Sequence, residues 1–147
     1  MPEISDLIEK LKALQDRIPE MLEECAMSVA NDGLAIAQDN IQTKGFGEIY
    51  KDTSYKSYRE KKGHQTEFVD LTLSAKMWNG MQVSDPQHKG HVYYCLLENN
   101  TQEGANKMNW NYERYGDFIG KALKDERDVL TEVAIETIYN YIDKIGI

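Results

Sequence analysis

"HVYYCLLEN", residues 91–99, decides the fold class. Its β-branched and aromatic content, bounded by turn chemistry in "SDPQHKG" (84–90), reads as a buried strand. A shorter strand, Met81–Val83, precedes the turn, so the two predict a small antiparallel sheet. Every other long periodic segment reads as helix. The expectation is therefore an α+β fold in which long N-terminal and C-terminal helices pack on a small antiparallel sheet, with long loops. With 147 residues the chain has the length of a single domain, 1–147, large enough to bury roughly two thirds of its unfolded surface.

Upstream, Ile4, Leu7, Ile8, Leu11 and Leu14 recur at three- and four-residue spacing with charges between them, the pattern of an amphipathic helix. Pro19 is expected to break or kink it, because proline lacks the backbone donor and crowds the preceding turn. Residues 1–18 are thus set apart as a candidate helical arm. A second helix is expected to about residue 42, burying Leu22, Cys25, Ala26, Val29, Gly33, Ile36, Ala37 and Ile41. Several of these are small, which lets another element approach closely. Downstream, Ile119 to Ile145 keeps helical phase for seven turns, with Asp117 placed to cap its first turn.

Two stretches lack this periodicity. Residues 43–68, "TKGFGEIYKDTSYKSYREKKGHQTEF", carry three glycines and three tyrosines and read as a long loop, with one or two helical turns in "SYREKKG". Residues 99–117, ending in "NKMNWNYERYGD", read as a second. Loops this long in a compact domain are more often functional than idle. Between them, Ser74–Gly80 reads as a short helix or turn.

A formal net charge of −8 repels phosphate and disfavours a general nucleic-acid-binding role. No stretch approaches the ~20 apolar residues of a membrane span, and the first residues lack the basic start and apolar core of a signal peptide. Cys25 and Cys95 read as buried, reduced thiols, consistent with synthesis in a cytoplasm.

Catalytic chemistry finds little support. His88, His91 and Cys95 have a spacing that superficially suits a metal, but a closed zinc site needs four ligands and a catalytic one three on a rigid frame. An exposed turn histidine and a buried thiol explain them better. Ser74 has neither a Gly-x-Ser-x-Gly elbow nor an obvious His–acid partner. The acidic residues Glu23, Glu24, Asp125, Glu126 and Asp128 lie on amphipathic helices, where solvated faces account for them. The expectation is no enzyme, no metal and no cofactor.

Lys56, Arg59, Lys61, Lys62 and His64 interleave with Tyr50, Tyr55 and Tyr58, the cationic and aromatic mixture that grips single strands. A small nucleic-acid-binding module using residues 50–64 is therefore the alternative reading. Glu48, Asp52, Glu60 and Glu67 surround the stretch, and a binder normally shows a basic face across the whole domain. The second loop offers Met108, Trp110, Tyr112, Arg114 and Tyr115, residue types enriched at protein interfaces. Packing of Trp110 back onto its own sheet is an equal competitor.

Taken as a series, "GEIYKDTSYKSYREKKG" (47–63) and "VDLTLSAKMWNGM" (69–81) resemble the middle of tailed-bacteriophage virion-morphogenesis and tail-completion (neck, head–tail connector) proteins. Ser54-Tyr55, Tyr58-Arg59 and Gly63 match that family's Tyr-Ser-x-x-Tyr loop. Leu71, Thr72, Ser74, Ala75 and Met77 match its Leu-Thr-x-Thr/Ser-Gly-x-Leu/Met motif, and Phe118-Ile119-Gly120 its Phe-Leu-Gly opening of the last helix. Ala75 stands where the family has glycine, and Gly116-Asp117 where it often has Arg-Pro. The resemblance implies a structural virion protein made in the host cytoplasm. It would form a homo-oligomeric ring that joins the portal to the tail or ends the tail tube. Neighbouring portal, adaptor or tail proteins would be its partners, and DNA would pass through the lumen without specific binding. The implied contact residues are Tyr55, Tyr58, Arg59 and Lys62 in the first loop and Trp110, Tyr112 and Arg114 in the second.

Overall fold

The computed structural model describes residues 3–43, 49–69 and 76–146. The architecture is α+β, with a long N-terminal helix, as expected. Helix α1 (Ile4–Thr43) is followed by α2 (Thr53–Lys61) and α3 (Lys76–Gly80). Strands β1 (Met81–Val83), β2 (Gln87–Lys89), β3 (Val92–Tyr94) and β4 (Leu97–Asn99) come next. Helices α4 (Gln102–Tyr115), α5 (Phe118–Asp125) and α6 (Arg127–Lys144) complete the chain.

Pro19 does not end the first helix. Helix α1 continues through it for 40 residues, about 60 Å at 1.5 Å per residue. The two stripes read separately from the sequence are one stripe. Its inner part, Met21, Ala37 and Ile41, is buried, and Cys25 donates to the Ala134 carbonyl of α6 at 3.7 Å. Tyr141, 3% exposed, lies beside Arg17 and Glu20, so α6 runs antiparallel to α1 and ends one turn beyond that point.

The outer part of the stripe has no such cover. Ile4, Leu7, Ile8, Leu11 and Ile18 are between 38% and 77% exposed. Together they leave between two and three whole aliphatic side chains in water, forgoing on the order of 4–8 kcal/mol at ~1.5–3 kcal/mol each.

The single strand expected over 91–99 is two. β2 and β3 form a hairpin (Gln87 opposite Tyr94, Lys89 opposite Val92) turned at Gly90, which sits at φ +61°. β4 pairs antiparallel with β1, Met81 opposite Asn99 and Val83 opposite Leu97. Ser84 causes the break. Its backbone N–H donates to the Leu96 carbonyl at 2.8 Å, while its hydroxyl accepts from the Leu96 N–H at 2.8 Å and replaces a ladder bond.

The main core joins Ala37 and Ile41 of α1 to Met77, Met81, Met108, Phe118 and Ile119. Helix α3 docks on α1 through a reciprocal pair. The Trp78 indole donates to the Gln38 carbonyl, and the Gln38 amide donates to the Trp78 carbonyl, each at 3.0 Å. Gly33 is where small size matters, since a Cβ there would lie 3.2 Å from the Leu123 side chain.

Residues 99–117, expected as a loop, are mostly helix α4. Asn99 fixes its start: its amide donates to the Met77 carbonyl at 2.7 Å and its oxygen accepts from the Thr101 N–H and hydroxyl. The Thr101 hydroxyl then accepts from the Gly104 N–H at 2.9 Å as the N-cap. Gly80 and Gly104 both lie against the Asn99 side chain, leaving no room for a Cβ at either. The last helix is also divided: Asp117 caps α5 as expected, accepting from Gly120 N–H at 2.9 Å, and the chain turns at Glu126 before α6. Within 43–68, α2 supplies the turns expected in "SYREKKG", and Gly63 closes them at φ +79°.

Candidate functional site

The structure brings together parts of the two segments singled out by sequence. Tyr50, Asp52 and Tyr55 from the α2 region meet Trp110, Arg114 and Tyr115 of α4 around a groove of about 310 Å³. A smaller hollow of about 170 Å³, lined also by Ile49 and Lys51, adjoins it.

Local sequence positions each wall. Asp52 caps α2, its carboxylate accepting from the Tyr55 N–H at 3.1 Å, which sets the phase that presents Tyr55 and Tyr58 outward. Tyr50 meets Tyr55 edge-on at 5.6 Å between ring centres, and Tyr55 stacks on Tyr58 at 6.4 Å. Lys62 lies 5.7 Å over Tyr58. On the facing helix the Arg114 guanidinium sits 5.1 Å over Trp110 and 5.5 Å over Tyr115. Each such contact contributes about 0.5–1 kcal/mol at an exposed position. The result is two sets of stacked rings and cations that share one groove, with Trp110 55% exposed.

Five of the seven expected contact residues lie on this surface or beside it: Tyr55, Tyr58, Lys62, Trp110 and Arg114. The other two need correction. Arg59 is fully buried; its Nε and Nη2 both donate to the Gln65 carbonyl at 3.3 Å, and its guanidinium covers Tyr50 at 4.7 Å. Gln65 in turn holds Phe68, donating to its carbonyl at 2.8 Å. Arg59 is thus an internal strut tying the chain after α2 back to the helix. Tyr112 is half-buried, its ring 5.0 Å from Phe118, and belongs to the core. Burial, reinforced by the Asp117 carboxylate, pushes its hydroxyl pKa up. Tyr115, an interface-type residue of the second loop, also lines the groove, whereas Asp52 was not singled out as a contact residue, although an Asp three residues before a tyrosine-rich helix is a readable cap.

The histidine–cysteine set does not form a centre. His88 is exposed and stacks on Tyr93 at 5.2 Å, and among the described residues no group of three His, Cys, Asp or Glu could hold a metal ion. Both thiols instead line an apolar cleft of about 380 Å³ between α1, the hairpin and the α5–α6 region, with Leu22, Val29, Leu123 and Leu130. Burial pushes the pKa of Cys25 up, and burial followed by Asp85 that of Cys95, so neither is activated as a nucleophile. Ser74 and most of the Leu-Thr motif (Leu71, Thr72, Ala75) lie outside the described residues. Among the described residues no helix is long and apolar enough to cross a membrane.

Compared with known proteins, the chain matches no family model, no curated protein and no solved structure.

Proposed function

We propose that the chain is a structural subunit of a tailed-bacteriophage neck or tail. In this reading it forms a homo-oligomeric ring that joins portal to tail or ends the tail tube, and it performs no catalysis. The observation that carries the reading is the groove between α2 and α4, where two segments about fifty residues apart present Tyr55, Tyr58, Trp110, Arg114 and Lys62 together on the surface. Trp, Tyr and Arg gathered on one surface are the residue types that dominate binding energy at protein interfaces. The resemblance in sequence supports the same reading, and two of its elements have structural reasons here. Gly63 ends α2 in the left-handed region, and Phe118-Ile119 are buried at the start of α5. The acidic chain, at −8, would let DNA pass through a ring lumen without holding it.

The test is mass spectrometry of purified phage particles, with this chain's copy number set against the major capsid protein. A low, ring-like ratio is expected, and absence from infectious particles would overturn the reading. Trp110→Ala should reduce incorporation into particles while leaving the isolated protein's thermal midpoint within about 3 °C, since the ring is more than half exposed. An equal loss of both would make Trp110 a core residue.

A second reading draws on one observation, the exposed Tyr55–Tyr58 stack flanked by Lys56 and Lys62. It predicts single-strand binding that weakens steeply with salt. No binding at low salt would remove it.

A further inference from the structure

We infer that the α2–α4 groove receives the outer face of helix α6 from a second copy of this chain. The inference rests on the reading of that groove as an assembly surface and adds its occupant.

Helix α6 has two faces. Ala134, whose carbonyl accepts from Cys25, and buried Tyr141 lie on the side packed against α1. On the opposite side Asp128, Glu132, Ile135, Glu136, Tyr139 and Asp143 recur at three- and four-residue steps. Ile135 is 48% exposed and Tyr139 66%, and the four carboxylates are exposed with them. The helix's own bases, Arg127 and Lys144, stand at its two ends, so the stretch between them carries four acids and no base. Along α1, Arg17 and Glu20 meet at Tyr141, and Glu23, Glu24, Asp32 and Asp39 add further negative charge. Helix α5 brings Lys121, Lys124 and Asp125 only to the N-terminal end of α6. Apolar anchors four residues apart between carboxylates suit a groove with an apolar floor and cationic rims.

The α2–α4 groove has that character. Tyr50, Tyr55, Trp110 and Tyr115 supply the rings. From Ile49 to Lys62 the exposed cations Lys51, Lys56, Lys61 and Lys62 stand against two acids, Asp52 and Glu60, with Glu67 beyond. Asp52 is held by its cap on α2, and Glu60 accepts from the Thr66 hydroxyl at 3.4 Å. On α4, Glu103 pairs with Lys107 at 3.5 Å, which leaves Glu113 and Arg114. The Arg114 guanidinium lies over two rings, and no carboxylate pairs with it among the described residues. The two surfaces belong to separate parts of one copy: α6 packs along α1 and on α5, and α4 on α3 and β4. The match is therefore made between copies. Contact between unlike patches is heterologous, and it closes into a ring where the rotation allows.

The experiment uses two variants of the full chain. One carries Trp110→Ala and Arg114→Ala in the groove, the other Glu136→Lys and Tyr139→Ala on α6. All four side chains are exposed, so both variants should keep their thermal midpoints. In sedimentation at about 100 μM the unmodified chain is expected to associate, less at about 0.5 M salt than at about 0.05 M. Each variant should associate at least ~30-fold more weakly. Mixed one to one, the two should regain association and stop at pairs, because such a pair joins one intact groove to one intact α6 face. A mixture no more associated than its components, or a strictly monomeric unmodified chain, would overturn the inference. Binding of single-stranded DNA that is lost in the groove variant and kept in the α6 variant, without self-association, would assign the groove to nucleic acid instead. The neck reading is decided separately by particle content: a chain present in particles whose α6 variant assembles normally breaks this inference alone.

Discussion

The two halves of α1 carry the same sequence pattern and meet different fates. From Met21 to Ile41 the apolar stripe lies under α6, α5 and α3, and Ala37 has no exposed surface at all. From Ile4 to Ile18 the same stripe, in the same phase, faces water except at half-buried Leu14. Pro19 marks the junction: it leaves the Gln15 carbonyl without its helical donor, yet the helix crosses it. The difference teaches that periodicity specifies which face of a helix wants cover, while the rest of the chain decides whether that cover is internal. Here the body ends about ten residues before the helix does, and the surplus face is available to another molecule.

The strongest way to break this comparison is a pair of truncations. Ile41→Ala removes a side chain that is 2% exposed and should lower unfolding free energy by about 2–5 kcal/mol. Leu11→Ala, at 51% exposure, should change monomer stability by under about 0.5 kcal/mol. Denaturant titration of both at low concentration checks this, and similar losses would mean the arm is packed after all. A middle-sized effect is expected at Asn99, which links α3, β4 and α4. Asn99→Ala leaves the Met77 carbonyl and the Thr101 cap without their partner and should cost about 1–3 kcal/mol. A loss confined to fraying of α4 in amide exchange would show that the link serves that helix alone.

The smallest effect sharpens the body's side of the comparison. The Tyr112 hydroxyl is held above its ordinary value near 10, so the folded state favours the protonated form. Its contribution is complete below pH ~10 and is lost as pH rises through the folded-state value. Tyr141, raised by burial and then by Glu20 against the opposing Arg17, acts in the same direction. Thermal midpoints should therefore fall on the alkaline side, and Tyr112→Phe should flatten part of that fall.

Where apolar side chains repeat, the sequence was legible: both ends of the helical framework, Met81–Val83, the Asp117 cap and the α+β class. Helix α4 escaped because its buried face is Gly104, Met108 and Asn111, three residues that carry no aliphatic signal. Asn111 satisfies only half of its amide there: the NH2 donates to the Lys107 carbonyl at 2.9 Å, while Oδ1 is buried without a partner among the described residues. The Thr101 cap was the readable sign. The division of 91–99 depended on a side chain eleven residues upstream of the middle of the stretch, Ser84, which no local propensity reveals. At the candidate site, residue type was enough to expect Tyr55, Tyr58, Lys62, Trp110 and Arg114 at the surface, but it misplaced Arg59. An arginine in a basic run reads as solvent-facing, and only the approach of Tyr50 and Gln65 from either side of α2 buries it.

Hydrogen–deuterium exchange across α1 at low protein concentration tests the central contrast most directly. Amides of residues 5–17 are expected to exchange orders of magnitude faster than those of residues 25–41. Equal protection of both halves would show that the arm is covered within its own chain and would contradict the account.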